Sequence, residues 1–101
     1  MTARAESARE VARRVLGRVG EHGAWATLAL AGELPAANLD DRDRRFATEL
    51  VYGTLRHQVR LERALGIHAD LSRARPPVRA ALLVAAYQLL FLRVPAHAAV
   101  D

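Results

Sequence analysis

The sequence has no cysteine and no lysine among its 101 residues, and it has only five aromatic side chains. Without cysteine the chain can form no disulfide, no cysteine-ligated zinc site and no thiol nucleophile, and its redox compartment stays undetermined. The few aromatic residues stand beside 21 alanines, the residue with the highest helix propensity. This composition favours closely packed helices over a β-sandwich.

Long hydrophobic runs are also missing. The most apolar stretch, residues 80–92, is shorter than the roughly 20 apolar residues that a bilayer-spanning helix needs. The N-terminus alternates charges instead of entering an apolar segment, so it does not resemble a secretory signal. We therefore expect a soluble, cytoplasmic protein with no membrane partner, built as one small domain over residues 1–101.

Because lysine is missing, all 15 basic residues are arginines, and the net charge is +4. Arginine suits phosphate and RNA because its planar guanidinium donates paired hydrogen bonds and stacks on bases. The alternative explanation is codon bias in a GC-rich genome, which enriches alanine and arginine together. The charge thus favours a polyanionic partner without requiring one.

Apolar residues at three- and four-residue spacing predict a first helix over residues 5–21. A second, shorter helix is predicted over residues 24–32, with Trp25, Leu28 and Leu30 supplying its bulk. Pro35 is placed in the connection that follows. Asp40 or Asp41 then caps a third helix, whose apolar stripe shifts phase between Arg56 and Leu61 and predicts a bend there.

A fourth helix is predicted to start at Pro76 and to run to residue 92, apolar on nearly every side. Such a helix is typical of the buried centre of a bundle, so we expect Leu89 to be buried, as we do Leu50 of the third helix. Tyr87 and Gln88 are interpreted as buried hydrogen-bonding residues. A fifth helix starts near residue 96 and is incomplete at the C-terminus, which predicts an exposed apolar surface open to a protein partner.

Catalytic patterns have little support. The four histidines lie far apart without metal-ligand spacing, and no glycine-rich phosphate loop is present. Asp40, Asp41 and Asp43 form a cluster that a helix cap explains better than an acid–base pair. The chain by itself is therefore predicted to have no catalytic residue, no metal site and no cofactor.

Two segments resemble a known family. Residues 43–56 (DRRFATELVYGTLR) and 87–100 (YQLLFLRVPAHAAV) resemble the NusB-type RNA-binding domain, in the version fused to the N-terminus of small-subunit ribosomal RNA cytosine-C5 methyltransferases. The resemblance implies an all-α NusB-like helical bundle, truncated here before its last helices. It implies RNA binding, with small-subunit ribosomal RNA as the partner. In this family a separate methyltransferase domain binds S-adenosylmethionine and uses a cysteine that this chain lacks.

The resemblance also assigns candidate RNA-binding residues. In the family the arginine-rich start of the first helix contacts RNA, and here we expect an arginine cluster on the exposed side of that helix. A second candidate group lies on the third helix, spaced along what we expect to be one side. For both groups a solvated or ion-paired helix face is the competing interpretation. The predicted residues are Arg4, Arg9, Arg13, Arg14, Arg56 and Arg60.

Two other functions stay open at this point. One is a free-standing NusB antitermination factor, which binds a short RNA element and a ribosomal-protein partner during transcription. The other is a helical protein-interaction module with no RNA role. Residues 54–56 (TLR) and 94–100 (VPAHAAV) favour the methyltransferase version, and free-standing factors more often carry acidic residues after the long helix.

Overall fold

The computed structural model describes residues 7–22 and 25–99, which form six α-helices and one 3-10 turn and contain no strand. The all-α prediction is confirmed. The 3-10 turn, Leu71–Arg73, lies between the fourth and fifth helices. The helices are α1 (Ala8–His22), α2 (Ala26–Ala37), α3 (Asp41–Arg56), α4 (Gln58–Gly66), α5 (Pro76–Leu90) and α6 (Ala96–Ala99).

The core lies between α1 and α5. Helix α1 packs against α5, α3 and α2, and α5 also packs against α3, α4 and α6. The apolar face predicted for α1 is the face that is buried, because its residues recur at the spacing that places them on one side of a helix. Its buried residues are Ala8, Val11, Ala12, Val15 and Leu16.

Helix α3 starts as its sequence predicts, but it ends at Arg56, whereas the third helix was expected to continue with a bend through Leu61. The Asp40 carboxylate accepts a hydrogen bond from the backbone N–H of Asp43 at 2.8 Å, which satisfies one of the free donors of the first turn. The helix ends at Arg56, and α4 begins at Gln58 after a break at His57. The predicted bend is confirmed.

Gly53 is required by the close approach of α3 and α5. A Cβ atom built on Gly53 would overlap the ring of Tyr87, so no other residue fits there without movement of the tyrosine. This close approach buries Tyr87, which is 3% exposed. It also brings the tyrosine hydroxyl to the side of α3 that carries Glu49.

Helix α2 is longer than predicted and contains Pro35, which we had placed in the connection. A proline at this position removes the hydrogen bond to the carbonyl of Ala31. Both residues are exposed, so water can reach that carbonyl. The helix ends at Asn38, whose φ of 56° is left-handed, a conformation that asparagine tolerates.

The burial predicted for two apolar helices was partly wrong. Trp25 and Leu28, expected to form the bulk of α2, are 79% and 70% exposed, whereas Leu30 is buried. On α5, Leu89 was expected to be buried and is 41% exposed, while its neighbour Gln88 is fully buried. Both helices are apolar nearly all round, so the sequence pattern does not select the face that meets the core.

Candidate nucleic-acid interface

The arginines of α1 were expected to lie together on its exposed side, and this placement was partly wrong. Arg9 and Arg13 are half-buried, and of the predicted α1 residues only Arg14 is exposed. Arg4 lies outside the described residues. Half-burial leaves less of each guanidinium accessible to a phosphate than the sequence suggested.

Arg9 binds a buried amide. Its Nε–H donates to Oε1 of Gln88 at 2.6 Å, and its guanidinium lies over the ring of Phe46, 5.1 Å from the centroid. The Gln88 amide donates in turn to the carbonyls of Val84, at 3.2 Å, and Ala99, at 3.0 Å. Arg9 thus helps to join α1 to α3, α5 and α6, and the prediction that Gln88 is a buried hydrogen-bonding residue is confirmed.

Arg14 is ion-paired with α2. Its Nε donates to Glu33 Oε2 at 2.7 Å, and Nη1 of Arg18 donates to Oε1 of the same carboxylate at 2.9 Å. The hydrogen bond from Arg14, with a smaller one from Arg18, outweighs the burial of Glu33 and lowers the pKa of that carboxyl group. Two arginines of α1 therefore share one acid before any ligand arrives.

Arg56 and Arg60 are both exposed, but they lie on different helices because the break at His57 separates α3 from α4. The guanidinium of Arg60 lies over the ring of Phe91, 5.5 Å from its centroid. The ring of His57 stacks on the same Phe91 ring, at a centroid distance of 4.1 Å. The expected single row of basic residues along one helix is thus interrupted.

Arg56 instead forms part of a groove on α3 that the sequence did not single out as a site. We call it the α3 groove; most of its positions recur at three- and four-residue spacing, which places them on one side of the helix. That spacing is readable in the sequence, where the segment was interpreted as a cap followed by an apolar stripe. The lining residues are Arg44, Arg45, Thr48, Glu49, Tyr52 and Arg56.

Two hydrogen bonds fix the polar groups of the α3 groove. The hydroxyl of Tyr52 forms a hydrogen bond with the hydroxyl of Thr27 on α2, with an oxygen–oxygen distance of 2.9 Å. The hydroxyl of Tyr87 donates to Oε1 of Glu49 at 2.5 Å. Burial and this bond to a carboxylate raise the pKa of Tyr87 to about 12. The acid of the groove is therefore engaged by α5.

A second cavity, of about 470 Å³, lies between α1, α3 and α5. Its walls are mostly apolar, and its two charged groups, Arg79 and Glu62, pair with each other. The buried Thr54 hydroxyl on its wall has no hydrogen-bond partner among the described residues. This cavity offers no uncompensated charge to a polyanion, in contrast to the α3 groove.

Metal ligands and membrane-spanning helices are not found in the described part of the chain. No group of three or more histidine, aspartate or glutamate residues in residues 7–22 and 25–99 could hold a metal ion. None of the helices described there combines the length and the apolar character that a bilayer-spanning segment requires.

The comparison with protein families is decisive. The model of the NusB family matches residues 6–101, which is nearly the whole chain. The chain belongs to the NusB family. The two segments that resemble the family are α3 from its third residue to its end and the segment from α5 into α6, and they meet where Gly53 contacts Tyr87.

Curated relatives of this NusB domain are methyltransferases. A Mycobacterium tuberculosis protein named "putative methyltransferase" is 42% identical over 95% of this chain and 21% of its own length. The ribosomal RNA small subunit methyltransferase B of Pseudomonas putida is 41% identical over 71% of this chain and 17% of its own length. That of Erwinia tasmaniensis is 34% identical over 88% of the chain and 21% of its own length.

The NusB domain therefore spans about a fifth of the length of the curated relatives it matches. No solved structure matches it. Two sets among its arginines have different surroundings in the fold. Those of α1 contact groups within the domain, and those of the α3 groove line an open depression.

Proposed function

We propose that this NusB domain binds RNA and positions small-subunit ribosomal RNA for an S-adenosylmethionine-dependent cytosine-C5 methyltransferase domain of the same protein. The observation that carries the proposal is the similarity to ribosomal RNA small subunit methyltransferases B, of which this domain matches only 17% to 21%. The family, the excess of arginine and the lack of a catalytic constellation agree with a binding role. On this proposal the protein acts in the cytoplasm.

The chemistry of such positioning is electrostatic. Contacts to phosphates give affinity and register and carry little sequence information, which suits a domain that presents RNA to a separate active site. Arginine donates two parallel hydrogen bonds to a phosphate and holds its orientation. Exposed Arg56 and Arg60 and the α1 residues Arg13 and Arg14 are the candidates of the sequence analysis that the fold leaves at least partly accessible.

S-adenosylmethionine does not fit the residues of this domain. The sequence has no glycine-rich loop to hold the cofactor and no cysteine to attack a cytosine ring. We assign the cofactor and the methyl transfer to the methyltransferase domain and derive no chemical step from this chain.

The test is a titration of the chain with a labelled transcript of small-subunit ribosomal RNA, followed by fluorescence anisotropy at several salt concentrations. We expect the chain to bind this RNA, and we expect the logarithm of the association constant to fall linearly with the logarithm of the salt concentration. In a protein that also carries the methyltransferase domain, neutralising exposed arginines should raise the KM for ribosomal RNA and leave kcat nearly unchanged. A change in kcat alone would contradict a positioning role.

The competing function is a protein-interaction module without an RNA role. It is favoured by one observation, the exposure of Trp25, which precedes α2, and of Leu28 in the first turn of that helix. If the chain binds no RNA at low salt, this alternative becomes the better explanation. A free-standing antitermination factor would also bind RNA, and it would prefer a short transcript element to ribosomal RNA in the same titration.

A further inference from the structure

The arginines of the α3 groove differ from Arg9, Arg14 and Arg18 of α1, whose guanidinium groups contact side chains of the domain. Within residues 7–22 and 25–99, the guanidinium groups of Arg44, Arg45 and Arg56 take part in no hydrogen bond, ion pair or ring contact. Elsewhere, Arg79 and Arg18 are ion-paired with glutamates. Three cations thus line one depression without neutralisation.

The nearby acids do not cancel this charge by direct contact. Asp41 lies one helical turn before Arg45 and forms no ion pair with it among the described residues. The carboxylate of Glu49 accepts a hydrogen bond from the hydroxyl of Tyr87, which holds the carboxylate towards α5. The ring of Tyr87 packs closely against Gly53 in the core. The hydrogen bond from Tyr87 therefore fixes the position of the Glu49 carboxylate relative to the core.

The dimensions of the groove suit an extended polyanion. From Arg45 to Arg56 the helix rises about 16 Å, at 1.5 Å per residue. A single phosphate cannot reach both ends, whereas a chain of phosphates can. Tyr52 lies between them, with its hydroxyl held by Thr27, and offers a ring edge or face against which a base or ribose can pack.

We propose that the α3 groove is a phosphate-backbone site for single-stranded RNA, with Arg44, Arg45 and Arg56 holding phosphates and Tyr52 supporting a nucleoside. The inference rests on the proposed RNA-binding function and adds a second contact face to it, away from the α1 arginines. An acidic protein segment is the weaker occupant, because the groove offers arginines spaced along one helix and few apolar groups for side chains.

The experiment compares three variants of the whole chain with the unsubstituted protein, using fluorescein-labelled oligouridine and anisotropy at several salt concentrations. The groove variant is Arg44→Gln/Arg45→Gln/Arg56→Gln. The charge-matched control is Arg63→Gln/Arg75→Gln/Arg93→Gln, at three exposed positions outside the groove. The third variant changes the groove arginines to lysine. All substituted residues are exposed, and melting by circular dichroism verifies that each variant is folded.

We expect the groove variant to lose affinity by roughly tenfold to hundredfold at low salt and to reduce the magnitude of the salt slope by about 1.4 to 2, at about 0.7 for each lost phosphate contact. The control should lose less than about threefold, since it removes general charge only. The lysine variant should keep most of the salt slope. Cross-linking with 4-thiouridine RNA should label the peptide that contains Tyr52.

The outcomes separate the two proposals. If the unsubstituted chain binds and the groove variant matches the control, the α3 groove is not the site and the RNA function stands. Cross-links confined to peptides outside α3 would overturn the groove in the same way. If the unsubstituted chain does not bind RNA at low salt, the proposed function fails and the groove proposal fails with it.

Discussion

The arginines of α1 and those of the α3 groove have the same sequence appearance and different physical states. Arg9 holds the buried Gln88 amide, and Arg14 shares the Glu33 carboxylate with Arg18. Arg45 and Arg56, on the exposed side of α3, have no such partner among the described residues. The difference shows that the number of arginines in a segment does not give the charge that is available to a ligand.

The largest expected effect concerns the core that supports both sets. Leu50 is fully buried on α3, so Leu50→Ala should lower the free energy of unfolding by about 2–5 kcal/mol. Leu89→Ala should cost less than about 1 kcal/mol, because that side chain is 41% exposed. Urea denaturation measures both. Equal losses would mean that α5 presents a different face to the core.

The next largest effect is expected from Arg9→Ala, which tests the structural role of that arginine. Arg9→Ala leaves Oε1 of the fully buried Gln88 without its donor, which should destabilise the fold by about 1–3 kcal/mol. Arg45→Ala, the matched control on α3, should change stability by no more than about 0.5 kcal/mol. If the two variants melt alike, Arg9 does not stabilise the junction of α1 with α5.

A smaller effect is expected from a substitution that makes an α1 arginine resemble those of the α3 groove by removing its acidic partner. Glu33→Gln removes the charge that Arg14 and Arg18 share, so the exposed guanidinium of Arg18 loses its ionic partner and becomes available to a phosphate. We expect RNA affinity to rise by about threefold and the magnitude of the salt slope to rise by about 0.7. Glu62→Gln, which releases Arg79 beside the apolar cavity, is the control. Unchanged affinity after Glu33→Gln would show that Arg18 contributes no phosphate contact.

The smallest expected effect is the pH dependence of the same ion pairs. The pKa of Glu33 is lowered in the folded state, chiefly by its hydrogen bond from Arg14. Its contribution to stability is therefore present above its ordinary pKa and is lost as the pH falls through the lowered one. The stability difference between the unsubstituted chain and Glu33→Gln, at most about 1 kcal/mol, should vanish in acid. Denaturation curves from neutral pH downwards measure this, and a difference that persists in strong acid would contradict it.

The sequence by itself determined where most helices begin and end. The Asp40 cap, the prolines that open α5 and the phase shift after Arg56 are local signals, because they depend on residues within a turn of each other. The buried face of α1 was readable for the same reason, since its apolar residues lie on one stripe. Gly53 is a further local signal, because a glycine inside a helix costs stability and indicates the close approach of a neighbouring helix.

The sequence could not determine the buried faces of α2 and α5. Trp25 and Leu89 were expected in the core and lie at the surface, because an apolar helix without a polar stripe has no preferred orientation until its neighbours are placed. Pro35 was misplaced for a related reason. A proline is tolerated in a helix where the carbonyl it leaves unpaired faces solvent, and only the packing of α2 decided that.

Only the tertiary structure decided which arginines are engaged. Gln88 lies 79 residues from Arg9 along the chain, and Glu33 lies 19 residues from Arg14, so no local pattern relates them. The charge of a guanidinium is fixed by its chemistry at any neutral pH, and its availability depends on the carboxylates and amides that folding brings within hydrogen-bonding distance. The sequence thus determined how many positive charges the domain carries, and the packing of α1, α2 and α5 decided that Arg9, Arg14 and Arg18 are engaged while Arg44, Arg45 and Arg56 line an open groove.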